Sequence, residues 1–173
     1  MKVVYIRHGI TSYSTDNLFA GRRNIAVEYF NEELLYNALD LIRKNKPEIV
    51  LVSPLLRAQQ TANWFALRYD DCEYIEESLL IERDFGFFEG HVKSKKNRKE
   101  MELCSSVETM ESFSERIISF YDKYSKKMNV KSCVVIGHSA FYRQSIQLLG
   151  IKRLNELECC GSAEFSVVRP TTG

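Results

Sequence analysis

The sequence lacks most of the features that would mark a secreted, membrane-spanning or nucleic-acid-binding chain. Its five cysteines, Cys72, Cys104, Cys133, Cys159 and Cys160, make no CxxC pair and no regular framework, and their number is odd. This is the usage of a reducing compartment rather than of a disulfide-stapled domain. Long apolar runs are missing too. Only four consecutive apolar residues, Val3 to Ile6, precede the charge at Arg7. That is too few for a secretory signal core, and no stretch approaches the roughly eighteen apolar residues of a membrane span. A cytoplasmic protein with no membrane partner is expected. Nor is there an excess of one charge: 24 Lys plus Arg stand against 23 Asp plus Glu, so no global field advertises nucleic acid. With three histidines in all, and no Cys or carboxylate at ligand spacing from His8 or His138, no metal and no cofactor are implied. Repeats and linkers are absent. The 173 residues, 45% of them hydrophobic, are expected to form one domain over 1–173.

What is present is one pattern used three times. Val3 to Ile6 runs into Arg7-His8-Gly9, Ile49 to Val52 into Ser53-Pro54, and Cys133 to Ile136 into Gly137-His138-Ser139. Continuous apolar strands are buried on both faces, which requires a largely parallel sheet covered by helices. Helical periodicity over about Glu28 to Lys44, Leu55 to Tyr69 and Glu108 to Lys127, with a shorter segment after Ser139, supplies them. Glu73 to Ile75 and Ala163 to Val168 are candidate further strands, the latter at an edge. The expected fold is α/β, a three-layer sandwich with a mostly parallel central sheet. The stretch from His91 to Ser106 is polar, basic and without clear periodicity, and is the one place for a lid-like insertion near 91–106.

In such sheets ligands gather at the carboxyl ends of the strands. The three loops there deliver Arg7 and His8, then Ser53 followed by Arg57, then His138 with Ser139. Two histidines and two arginines on one rim make a site for a tetrahedral anion, because guanidinium binds phosphate oxygens in a bidentate fork. Each residue alone has a plainer reading. A histidine at a strand end can be a hydrogen-bonded rim residue, and Arg57 could be solvated, although a cation in a helix's first turn opposes the macrodipole and asks for a compensating anion.

Taken jointly, these residues resemble the histidine phosphatase superfamily, which includes cofactor-dependent phosphoglycerate mutases and α-ribazole phosphatases. Arg7-His8-Gly9 with Thr11 matches its first signature, and Asn17, Phe19 and Gly21 fall in the loop that follows. Ser53 to Ala62 resembles its second signature, Glu82 to Gly90 its acid loop and Gly137-His138-Ser139 its last. The resemblance implies that His8 is a nucleophile that becomes phosphohistidine. It makes Arg7, Arg57 and His138 the phosphate pocket, Glu82 the proton donor, and Thr11, Ser14, Asn17, Gly21 and Ser139 substrate contacts. Glu89 is the competing acid, with a structural role expected of it. Ser14 stands where many relatives carry Asn, so one phosphate contact could be lost or moved to Asn17 or Thr11. Arg143, one helical turn beyond His138, could brace the pocket or be solvated.

The function implied is a metal-independent phosphomonoesterase acting on a small phosphorylated metabolite. A phosphoglycerate mutase is the rival within the fold, disfavoured because the chain has little sequence after the acid loop or at its end to shield a phosphoenzyme from water. A weakly active protein that binds phosphorylated partners is the rival outside it, disfavoured because both His8 and Glu82 are present. The run His91 to Lys99 carries five Lys or Arg in nine residues. It reads either as a solvated loop or as a positive field at the pocket entrance that captures multiply charged substrates. It lacks the aromatic interleaving that base stacking needs.

Overall fold

A computed structural model describes residues 1–152 and 156–168. Five strands, β1 (Lys2–Arg7), β2 (Ile49–Val52), β3 (Glu73–Glu76), β4 (Ser132–Gly137) and β5 (Ser162–Ser166), form one sheet in the order β3-β2-β4-β1-β5. All neighbours are parallel except β5, which pairs antiparallel with β1 at the edge. The alternation of side chains along β1 shows why its apolar run is unbroken. Val3 and Tyr5 pack on one face with Phe113, Ile117 and Phe120 of α5 (Met110–Asp122) and Phe141 of α6 (Ser139–Leu148). Val4 and Ile6 pack on the other with Leu35 and Leu39 of α2 (Glu32–Asn45) and Ala58 and Phe65 of α3 (Leu56–Ala66). Helices therefore cover both faces, and the architecture is the three-layer α/β fold expected. No helix of the described residues is long and apolar enough to cross a membrane.

The helix ends differ from the sequence expectation where caps decide them. α2 begins at Glu32, not Glu28, because Asn31 accepts from the N–H of Leu34, while residue 29 bridges to Ile10 in extended form. α5 ends at Asp122 and continues as a π-helical turn over Lys123–Lys127. The 91–106 stretch holds a helix, α4 (Lys95–Met101), that its periodicity does not announce. Of its seven residues only Met101 is buried, so no apolar stripe exists to be read. It is fixed at its start instead, where Ser94 Oγ accepts from Asn97 N at 3.0 Å. Met101 joins Phe19, Phe85, Phe88 and Val107 in a small third core that ties α4 to the acid loop.

Candidate active site

The sheet order sets β2, β4 and β1 side by side, so their carboxyl ends bring Ser53, His138 and Arg7-His8 to one rim. His8 N donates to Gly137 O at 3.0 Å and Ser53 N to Ile136 O at 3.0 Å, extending the strand register into the loops. The His8 ring is nearly closed off from solvent, at 5% exposure, with Nδ1 2.7 Å from the Gly9 carbonyl oxygen. A carbonyl only accepts, so Nδ1 carries the proton and Nε2 keeps its lone pair. Gly9 is held in turn by donating its N–H to Thr61 Oγ1 at 2.9 Å. Burial first, then Arg57 and Arg7, hold the His8 imidazole well below its ordinary 6.5, so the ring is neutral at pH 7.

His138 stands behind His8, with ring centroids 5.3 Å apart. It is fully buried and does not line the cavity wall as His8 does. Its Nε2 lies 2.6 Å from Ser53 Oγ, and its Nδ1 is buried without a hydrogen-bond partner among the described residues. Burial, Arg57 and His8 lower its pKa as well. The backbone of His138 is clasped by the Tyr5 hydroxyl, which donates to its carbonyl at 2.9 Å and accepts from its N–H at 2.9 Å. A Cβ at Gly137 would collide with that hydroxyl, which is why glycine precedes His138.

Both arginines are anchored by carbonyls. Arg7 donates to Leu157 O at 2.6 Å, and Arg57 to Arg23 O and Gly21 O, each at 2.8 Å. The compensation that a cation at the start of α3 demands is therefore supplied in part by the loop over residues 21–23. Burial pushes Arg57 down to about 10, with Glu82 and Glu89 holding it up, so it stays charged at neutral pH. The Nε atoms of Arg7 and Arg57 are buried without partners among the described residues.

Glu82 opens the acid loop and is 6% exposed. Its Oε1 accepts from Arg83 N at 2.9 Å and Phe141 N at 3.1 Å, and its Oε2 from Ala140 N alone at 3.0 Å. Because α6 has no side-chain cap of its own, Glu82 caps it from across the site. Glu89 does something different. Its Oε1 accepts from Arg22 N at 2.8 Å and Phe85 N at 3.3 Å, joining two loops away from the cavity wall. Gly21, at φ +49, leaves the room that carboxylate occupies.

A cavity of about 630 Å3 brings Arg7, His8, Arg57 and Glu82 together with Thr11, Ser14, Asn17, Gly21 and Ser139. Ser14 is already committed: its Oγ donates to Thr11 O at 2.7 Å and accepts from Thr11 N at 2.9 Å, closing a capping box around α1 (Ser12–Thr15). Arg143 lines the same cavity and donates to Ser139 Oγ at 2.7 Å, bracing the start of α6. Sequence reasoning missed Tyr5 and Thr61. Tyr5 reads as one more apolar strand residue and Thr61 as helix interior, and only the fold shows where their hydroxyls reach.

The chain matches the sequence profile of the histidine phosphatase superfamily (branch 1) over residues 3–173. It is 24% identical over 139 residues, 80% of this chain and 72% of the relative, to an uncharacterized phosphatase, PhoE, of Bacillus subtilis. Its fold is similar to that of an α-ribazole phosphatase from Shigella flexneri, with a TM-score of 0.75, 20% identity and coverage of 95% of this chain and 89% of that one. It is similar in the same way to a phosphoserine phosphatase from Entamoeba histolytica crystallised with 3-phosphoglyceric acid, at a TM-score of 0.75, 24% identity and coverage of 95% and 90%. With the profile spanning nearly the whole sequence, the chain belongs to the histidine phosphatase superfamily, branch 1.

Proposed function

We propose that the protein is a phosphomonoesterase that needs no metal and works through phosphohistidine on His8, hydrolysing a small phosphorylated metabolite. The observation that carries the reading is the tautomer of His8: the Gly9 carbonyl accepts a hydrogen bond from Nδ1–H and leaves Nε2 as a neutral nucleophile beside two guanidinium groups. In the first half-reaction Nε2 attacks phosphorus, the ester P–O bond breaks, and the departing alkoxide takes a proton from Glu82. Oε2 is the oxygen suited to carry that proton, since it accepts one backbone N–H where Oε1 accepts two. In the second, Glu82 removes a proton from water, the water oxygen attacks phosphorus, and the P–N bond breaks to give inorganic phosphate and free His8. Arg7 and Arg57 stabilise the equatorial oxygens in both steps. The segment 91–106, as the cover of the cavity, completes a single domain in this reading.

The test is turnover of a panel of phosphomonoesters in excess chelator, with and without vanadate, by the wild-type protein and by His8→Ala. Activity that survives the chelator, falls with vanadate and disappears in His8→Ala is expected. Activity that the chelator removes, or that His8→Ala keeps, contradicts the proposal.

A further inference from the structure

Glu82 stands where the chain has no regular structure. Residues 81–85 belong to no helix or strand, so their backbone groups must find partners outside the sheet and helix ladders. One ion pair supplies much of that pairing. Arg116, in the second turn of α5, donates through Nη1 to Leu79 O at 2.9 Å and Ile81 O at 2.6 Å, and through Nη2 to Glu82 O at 3.5 Å. Its Nε and Nη2 also donate to Oε1 and Oε2 of Glu108, at 3.1 and 2.8 Å. All five guanidinium N–H groups are thereby directed. Glu108 then grips the loop beyond Glu82. Its Oε2 accepts from Asp84 N at 3.1 Å, its carbonyl accepts from Arg83 Nε at 2.9 Å, and its N–H donates to Asp84 O at 2.9 Å.

The pair is nearly dry, with 14% of the Arg116 side chain and 9% of the Glu108 side chain exposed, and the guanidinium lies 5.0 Å from the centre of the Phe113 ring. Neither residue lines the cavity, so neither meets the substrate. Stability alone does not account for it, because a buried ion pair can often be replaced by apolar residues of similar volume at no loss. What the arginine adds is a rigid planar fork that fixes where three successive carbonyl acceptors stand. Those carbonyls set the backbone from which the Glu82 side chain crosses to Ala140 N and Phe141 N of α6, and hence the place of Oε2 relative to His8.

We propose that Arg116 and Glu108 form a clamp that sets the reach of Glu82, acting as positioning residues for proton transfer to the leaving group. This rests on the reading of Glu82 as the proton donor and adds the residues that place it. The clamp does no chemistry of its own, and its effect passes entirely through one carboxylate.

The test compares turnover of propyl phosphate, whose alkoxide must be protonated as it leaves, with that of 4-nitrophenyl phosphate, whose anion departs with little help. Arg116→Met, Arg116→Lys and the Arg116→Met, Glu108→Met double variant are measured beside Glu82→Gln, with the folded fraction of each read by circular dichroism. We expect Arg116→Met to lose about tenfold to a hundredfold in kcat on propyl phosphate, up to the scale of an ångström's misplacement, and much less on the nitrophenyl ester, with KM unchanged. The double variant leaves neither charge buried alone, and should show the same split in a protein that stays folded. Arg116→Lys, which keeps the charge without the fork, should remain impaired. Adding Arg116→Met to Glu82→Gln should cost nothing further on propyl phosphate, since both changes act through the same group. Equal losses on the two substrates in the folded variants, full activity in Arg116→Lys, or a further loss in the Glu82→Gln background overturns the clamp. If Glu82→Gln itself loses equally on both substrates, the proton-donor reading fails and the clamp falls with it, whereas a split seen in Glu82→Gln but in no folded Arg116 variant sinks the clamp alone.

Discussion

Two buried polar clusters lie on opposite sides of the molecule's chemistry, and they are built on opposite rules. Around Glu77, which is 3% exposed, the carboxylate accepts from the Tyr124 hydroxyl, the Lys123 ammonium and Leu79 N, joining the end of β3 to the π-helical turn after α5. Charge and hydrogen bonds both close. At the rim of the sheet two arginines and two neutral histidines are packed together, and Arg7 Nε, Arg57 Nε and His138 Nδ1 have no partner among the described residues. Unpartnered buried polar atoms are rare and costly. The fold thus tolerates at one place what it avoids at the other, as expected for the two arginines, which line the cavity, where the missing partner is a ligand. The satisfied cluster stabilises the fold, and the unsatisfied one is held ready by the rest of the structure.

The contrast can be broken from either side. The largest effect is expected at the satisfied cluster: Glu77→Ala should cost about 3 kcal/mol of unfolding free energy in urea titration, with kcat per folded molecule unchanged. That is the low end for breaking a buried ion pair, because Lys123 keeps 43% of its side chain in water. At the rim, Glu82→Gln should lower kcat on alkyl phosphates by about a hundredfold, and on nitrophenyl phosphate much less, since a stable leaving anion needs little protonation. Equal losses on both substrates would reduce Glu82 to the cap of α6.

The neutral histidines give a pH signature. Their folded pKa values lie well below 6.5, so below about pH 6.5 the unfolded chain binds protons that the folded chain refuses. Stability is therefore full above that pH and lost as it falls, by about 1.4 kcal/mol per pH unit for each ring. Urea titrations between pH 7 and 5 should show a slope in the wild type that is shallower by one ring's worth in His138→Gln. Identical slopes would mean that His138 is protonated in the folded protein. The smallest effect is expected from Tyr5→Phe, which removes both bonds to the His138 backbone. About 1 kcal/mol, or roughly fivefold, should appear in kcat with KM unchanged, and a change in KM alone would place Tyr5 outside the positioning of His138.

Much of this was legible beforehand because burial on both faces leaves a plain trace. The unbroken runs Val3 to Ile6 and Cys133 to Ile136 gave the central strands, and the residues that end them gave His8 and His138. The edge strand was placed by its imperfect alternation, and β5 lies at the edge beside β1. What escaped is set by long-range geometry. α4 buries one residue and has no stripe, and the Tyr5 hydroxyl works on a backbone 133 residues away. The basic run His91 to Lys99 looked uniform in sequence, yet the bridge of Val92 to Leu18 separates Lys93 from its exposed neighbours. At Ser14 the sequence left open whether a phosphate contact is kept, lost or moved, and its hydroxyl closes a capping box with Thr11 on the cavity wall. His138 was expected on the pocket wall and lies behind His8, because Tyr5 and Ser53 hold it there.

The central claim is that the unsatisfied cluster exists to place a phosphoryl group on His8 Nε2. The most direct test is to mix the protein with a turned-over phosphomonoester, quench in alkali within the burst, and map the modified residue by peptide mass spectrometry. A phosphate on His8 that survives base and is lost in acid is the result the account predicts. Full turnover with no phosphate on His8, or phosphate on another residue, would contradict it.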